Sequence, residues 1–146
     1  MRICDPAAEK IAPLANVGDV KQIRIELYKK AFHFSGTGAH QLNPDSRETA
    51  DHSMPYTVAI ALLYGGVESK HFDEEYLRDP KVLGLAAKVK VAISAEADRH
   101  MPHAMRVFFK LVTKSGQTFE TVVDHHKGHW KNPMDDTDIE KKFRTL

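Results

Sequence analysis

The stretch from Arg47 to Tyr56 holds Arg47, Asp51, His52, Ser53 and Tyr56, the densest run of side chains in this sequence that can bind an acid or move a proton. Taking a proton from the carbon next to a carboxylate needs a positioned base and positive or donating groups where the negative charge develops. His52 and Tyr56 are the acid–base candidates. Ser53 and Asp51 are candidate substrate-binding groups, and Arg24, Arg47 and Lys127 are cations able to attract a polyacid, Arg47 and Lys127 being kept as candidate binding residues. The plainer alternatives are a core tyrosine with a satisfied hydroxyl, a cap at Ser53, and capping or loop orientation by Asp51 and His52.

A second cluster is Asp124-His125-His126-Lys127-Gly128-His129, with three histidines in five positions. Zinc ligation requires spacing that lets imidazoles converge on one ion. Here the helical H-E-x-x-H spacing is absent, and Cys4 is the only thiol in the sequence. The expectation is therefore no bound metal. His100 and His103 are read the same way, as members of a set of nine histidines on polar segments.

The element that must position the first cluster is a helix from Asp51 to Gly66. Asp51 and Ser53 are short N-capping side chains, Pro55 suits the first turn, and Gly65-Gly66 supply a left-handed stop. Between Val58 and Leu63 no charge interrupts the run, so the helix should be buried on all sides. Its polar groups then gather at the N-terminal tip, where free N–H groups favour an anion. Tyr56 is accordingly expected at a substrate-facing surface.

Around it, Pro6–Ala15 reads as a short amphipathic helix and Val20–Tyr28 as a half-buried strand alternating at Ile23, Ile25 and Leu27. Lys29–Ala50 lacks periodicity and reads as a long loop. Short helices follow over Glu68–Arg78 and from Asp79-Pro80. Val89–Ile93 is a second strand, broken by Met101-Pro102. Arg106–Val112 and Gln117–Val123 flank Lys114-Ser115-Gly116 as a hairpin. Asp124–Asp136 is a polar loop, and Thr137–Leu146 a final helix. The order is not a βαβ alternation. It predicts an α+β domain over 1–146, with an antiparallel or mixed sheet and helices packed on one face.

The 146 residues suffice for a core without staples. With 21 basic and 20 acidic residues, net +1, nothing argues for nucleic acid or an anionic membrane. The apolar run at Thr57–Tyr64 is far below the roughly 20 residues of a membrane span. One cysteine fits a reducing compartment, and a cytoplasmic protein is expected.

Asn43-Pro44, then Arg47-Glu48-Thr49-Ala50-Asp51-His52-Ser53-Met54-Pro55-Tyr56, resembles the N-P-x-x-R-E-x-A-D-H-S-x-P-Y stretch of the MmgE/PrpD family. The resemblance continues through Val58–Leu63 and Leu77-Arg78-Asp79-Pro80-Lys81-Val82. It returns at Lys127-Gly128-His129, Asn132-Pro133-Met134 and Glu140-Lys141-Lys142-Phe143-Arg144. It implies 2-methylcitrate dehydratase, cis-aconitate decarboxylase and iminodisuccinate epimerase as relatives. Such enzymes act without a metal or other cofactor on small di- and tricarboxylates, and their active site lies between a helical domain and an α+β lid, so the resemblance implies no cofactor. Only the lid is matched; the K-x-Y-P-x-C-x-x-x-H type stretch that supplies other basic residues is absent. The expectation is the lid of a 2-methylcitrate dehydratase-like hydro-lyase of propionate metabolism, inactive alone. Its helical partner would lie in the same or a separate chain, and the complete enzyme would be a homo-oligomer. The alternative is a non-catalytic binding or assembly domain that keeps the lid fold.

Overall fold

The computed structural model describes residues 5–35 and 38–144, so Cys4 lies outside the described part. In chain order the elements are α1 (Asp5–Glu9), β1 (Val20–Leu27), α2 (Lys29–Ser35), α3 (Ala39–Leu42), α4 (Arg47–Asp51) and α5 (Met54–Tyr64). There follow α6 (Glu74–Leu77), α7 (Pro80–Ala86), β2 (Val89–Ile93), α8 (Ala95–His100), β3 (Val107–Thr113), β4 (Thr118–Val123) and α9 (Asp136–Arg144). The class is α+β.

The four strands form one mixed sheet in the order β2-β1-β3-β4. β1 runs parallel to β2, with Ile23 opposite Val89 and Leu27 opposite Ile93. On its other side β1 is antiparallel to β3, Ile25 facing Phe109, and β3 pairs with β4 through the predicted hairpin. Gly116 takes the positive φ of 90° that the turn requires. Side chains alternate across the pleat. Ile23, Ile25, Leu27, Val107, Phe109 and Leu111 are buried under the helices, whereas Arg24, Lys110 and Glu120 stand on the opposite, uncovered face.

The centre of the core is α5, whose residues from Met54 to Leu62 are all buried. It is apolar on every side because α1, α3, α4 and α7 surround it. Ser53 caps it, Pro55 sits in its first turn, and Gly65 ends it at φ 77° with its N–H bonded to the Ala61 carbonyl. Asp51 is not part of this cap, contrary to the sequence reading. It closes α4, so the chain turns between two helices at His52-Ser53.

Lys29–Ala50 is not a long loop. Three short helices occupy most of it, each held by tertiary or capping bonds rather than by its own periodicity. The Lys29 N–H donates to Asp98 Oδ1 (2.8 Å), and Gln41 Nε2 donates to the Phe34 carbonyl (2.5 Å). At α4, Ser46 and Thr49 cap each other reciprocally. The first helix is also shorter than expected, ending at Glu9. Met101-Pro102 does not break β2, which ends at Ile93; it terminates α8 instead.

Candidate functional site

The α4–α5 corner brings Arg47, Asp51, His52, Ser53 and Tyr56 into one region but gives them different surroundings. Ser53 is fully buried; its hydroxyl accepts from the Tyr56 N–H (3.2 Å) and donates to the Gln41 carbonyl. That hydroxyl is fully used as a cap. Asp51 is exposed at the end of α4. Arg47 reaches across the surface to Asp73 (2.7 Å) and to the hydroxyl and carbonyl of Ser69 (2.6 and 3.1 Å). Its charge is already neutralised by a carboxylate.

Tyr56 does not stand at the surface. It is 0% exposed, lies against Phe72, and donates its hydroxyl to the His71 carbonyl at 2.6 Å. Burial, reinforced by Tyr64, Asp79 and Tyr76, pushes the phenol up to about 12, so at neutral pH it is a donor and not a base. The reason is geometric: Tyr56 is already inside the helix layer, one turn past the exposed corner.

His52 is exposed, like Arg47 and Asp51, but among the described cavities it alone of the five lines one. Its Nδ1 lies 3.0 Å from the Glu48 carbonyl. A carbonyl only accepts, so Nδ1 is the donor here, and in the neutral tautomer that fits this bond the lone pair lies on Nε2. No partner for Nε2 is found among the described residues. His52 lines a cavity of about 420 Å³ together with Tyr28, Lys30, Ala31, Phe34, Ser35, Met54, Met101 and Met105. That volume is in the range of small-molecule pockets, and an apolar floor with a few polar groups is their usual make-up.

Two other cavities differ in charge. The larger, about 750 Å³ on the uncovered sheet face, sets Glu26, Glu96 and Glu120 against Arg24 and Lys110. The third, about 430 Å³, sets Asp45 and Glu74 against Arg78. The cavity at His52 has a lysine and a histidine in its lining and, among the described residues, no carboxylate. Of the three it is the one that a polyanion can enter without meeting like charge.

Lys127 belongs elsewhere. It follows β4 and pairs with Asp138 of α9 (2.6 Å), which holds its ammonium above the usual range and the Asp138 carboxyl below it. Beside it, His125 and His129 stack face to face at 4.5 Å and 13°. Stacked rings point their nitrogens outward along parallel planes. Among the described residues no group of three His, Cys, Asp or Glu is arranged to hold a metal ion.

The sequence reading missed Lys30, Phe34, Met101 and Met105. Taking Lys29–Ala50 as loop hid the first two, although Ala31 and Phe34 share a helical face at spacing three. The methionines carried no local signal; only the fold brings them beside α5.

The sequence profile of the MmgE/PrpD C-terminal domain matches residues 3–146. Cis-aconitate decarboxylase of Homo sapiens is 31% identical over 103 residues, which is 69% of this chain and 21% of that protein. The Mus musculus cis-aconitate decarboxylase is likewise 31% identical, over 104 residues, 69% of this chain and 20% of that protein. The chain thus spans about a fifth of the length of these relatives. No helix among the described residues is long and apolar enough to cross a membrane. With almost its whole length under one domain profile, and with an α+β sheet built around the buried α5, the chain belongs to the MmgE/PrpD family through that family's C-terminal domain.

Proposed function

We propose that this domain is the lid of a lyase of the MmgE/PrpD type acting on a small di- or tricarboxylate, with His52 as its proton-transfer group. The observation that carries this is the placement of His52: its Nδ1 is engaged by the Glu48 carbonyl, and the ring lines a cavity whose described lining holds no carboxylate, which leaves Nε2 as the nitrogen available for proton transfer. A base there can take the proton from the carbon next to a substrate carboxylate. The resulting negative charge would meet the cationic side of the lining. Tyr56 serves from beneath as a donor, holding the His71 carbonyl in the resting lid; contact with substrate would require exchanging that acceptor for a substrate oxygen. Ser53 and Asp51 shape the corner, whereas Arg47 and Lys127, each paired with a carboxylate, take no part in this cavity.

The cavity is open, and Phe34 on its wall is 67% exposed. A partner surface that excludes water is therefore needed, and we assign that role to a helical domain of the same enzyme, in the same or a separate chain. The reaction follows as dehydration of a 2-methylcitrate-like acid or, as in the named relatives, decarboxylation. The 146-residue chain alone is expected to convert neither 2-methylcitrate nor cis-aconitate, since a single base typically supplies only about 10²–10⁴-fold.

The test supplies a family helical domain fused to or mixed with this chain and follows both substrates. His52→Gln should then reduce kcat by two to four orders of magnitude. An unchanged kcat in a folded His52→Gln protein removes His52 from the mechanism. The second reading, an assembly domain without chemistry, draws on the uncovered sheet face with exposed Val122 and on Trp130, 79% exposed. It would be favoured if the completed enzyme lost association and not turnover when that face was charged.

A further inference from the structure

The lining of the cavity holds more than a base requires. Lys30 stands in the first turn of α2, exposed and on the rim. Arg47 and Lys127 both spend their charge on carboxylates, but among the described residues Lys30 has no such partner. The backbone beneath it is fixed, because the neighbouring Lys29 N–H is tied to Asp98 of α8. Opposite the rim, Met54, Met101 and Met105 make a floor with Tyr28 and Ala31. Two of these methionines come from the segment after α8, so the cavity joins the start of α2 to a distant part of the chain.

We propose that Lys30 is the carboxylate anchor of this cavity and that the methionine floor selects acids carrying an apolar branch. The proposal rests on the reading that the cavity at His52 is the substrate site, and it adds which residues choose the substrate. An ammonium is a compact point charge that accepts a carboxylate from several directions. Thioether side chains are flexible and polarizable, and they close around small apolar groups of irregular shape. With no acidic residue in the lining, the anchor's charge is not cancelled at the site. The ligand class is a small acid with a carboxylate at one end and an alkyl or alkenyl carbon placed to reach the floor, within range of His52 Nε2.

The test is a titration of the 146-residue chain with succinate and with methylsuccinate at fixed pH 7 and ionic strength, followed by NMR of the backbone amides and the histidine rings. The expected result is saturable shifts at His52 and through 30–35, with methylsuccinate binding roughly fourfold tighter, the worth of one buried methyl group. Lys30→Gln should weaken both acids about tenfold or more, and Lys30→Arg should restore much of the loss. Met105→Gln should abolish the preference for methylsuccinate while succinate binding stays. If the His52 signals still saturate with unchanged affinity in Lys30→Gln, the anchor is refuted and the site at His52 stands. Equal binding of the two acids by the native chain refutes the selective floor. No saturable shift at either His52 or Lys30 in the native chain overturns the site reading and this proposal together. Amide dispersion in each variant reports that the fold is intact.

Discussion

His71 shows how far one buried side chain ties the site to its surroundings. It is 3% exposed, stacks on Tyr64 at 4.9 Å, and accepts at Nδ1 from the Glu68 N–H. Burial lowers its pKa below the ordinary 6.5 against the opposing pull of Glu68. A base whose folded pKa lies below its unfolded one leaves the unfolded chain with more protons in acid. Its contribution to stability is therefore full above pH 6.5 and is lost as pH falls beneath it. Urea midpoints should drop between pH 7 and pH 5, and His71→Asn, which keeps an acceptor but not the titration, should flatten that slope. The backbone carbonyl of the same residue is the acceptor for Tyr56. Tyr56→Phe leaves this buried carbonyl without its partner, at a cost of about 1–3 kcal/mol. That loss is expected in urea unfolding, in contrast to the small change a surface tyrosine would give. The types of Tyr56 and His52 were legible in the sequence as chemistry. Which of them faces a cavity was not, because one residue of rotation at a helix start exchanges core for rim.

At the scale of elements, readability followed length and punctuation. The 11 residues of α5 carry Ser53, Pro55 and Gly65 at their ends, and the apolar body leaves no other reading. Gly65→Ala should destabilise by about 1 kcal/mol, measurable as a shift in urea midpoint. A Cβ there would meet Pro13 at an ordinary 3.5 Å, so the cost comes from the φ of +77° and not from a clash. The short helices α2, α3 and α4 behaved differently. At seven, four and five residues they are too brief for a 3.6-residue period to show. The Ser46/Thr49 reciprocal cap and the Gly38 N–H bond to Gln41 Oε1 were written locally. The bond from Lys29 to Asp98 depends on the assembled fold, and the one from Gln41 to the Phe34 carbonyl on the packing of α3 against α2. That is why Lys30, the rim cation, escaped the sequence reading along with its helix.

For the whole molecule, the strands were recognisable by alternation, yet their order was not. Nothing in Val20–Leu27 announces that one edge pairs parallel and the other antiparallel. The parallel partner β2 arrives only after the chain has run from α2 to α7, whereas β3 and β4 are joined by a tight turn. Joining distant segments costs loop entropy that local pairs avoid. The β3–β4 hairpin should therefore protect its amides from exchange early in refolding, and the Ile23–Val89 register late, as pulse-labelled hydrogen exchange would read. The cavity is assembled across that late seam, with Lys30 just after β1 and Met101 and Met105 after β2 and α8. Docking of β2 is then the step that completes the lining of the cavity. An acid held there should slow unfolding by clamping the seam, while leaving the rate of hairpin formation untouched.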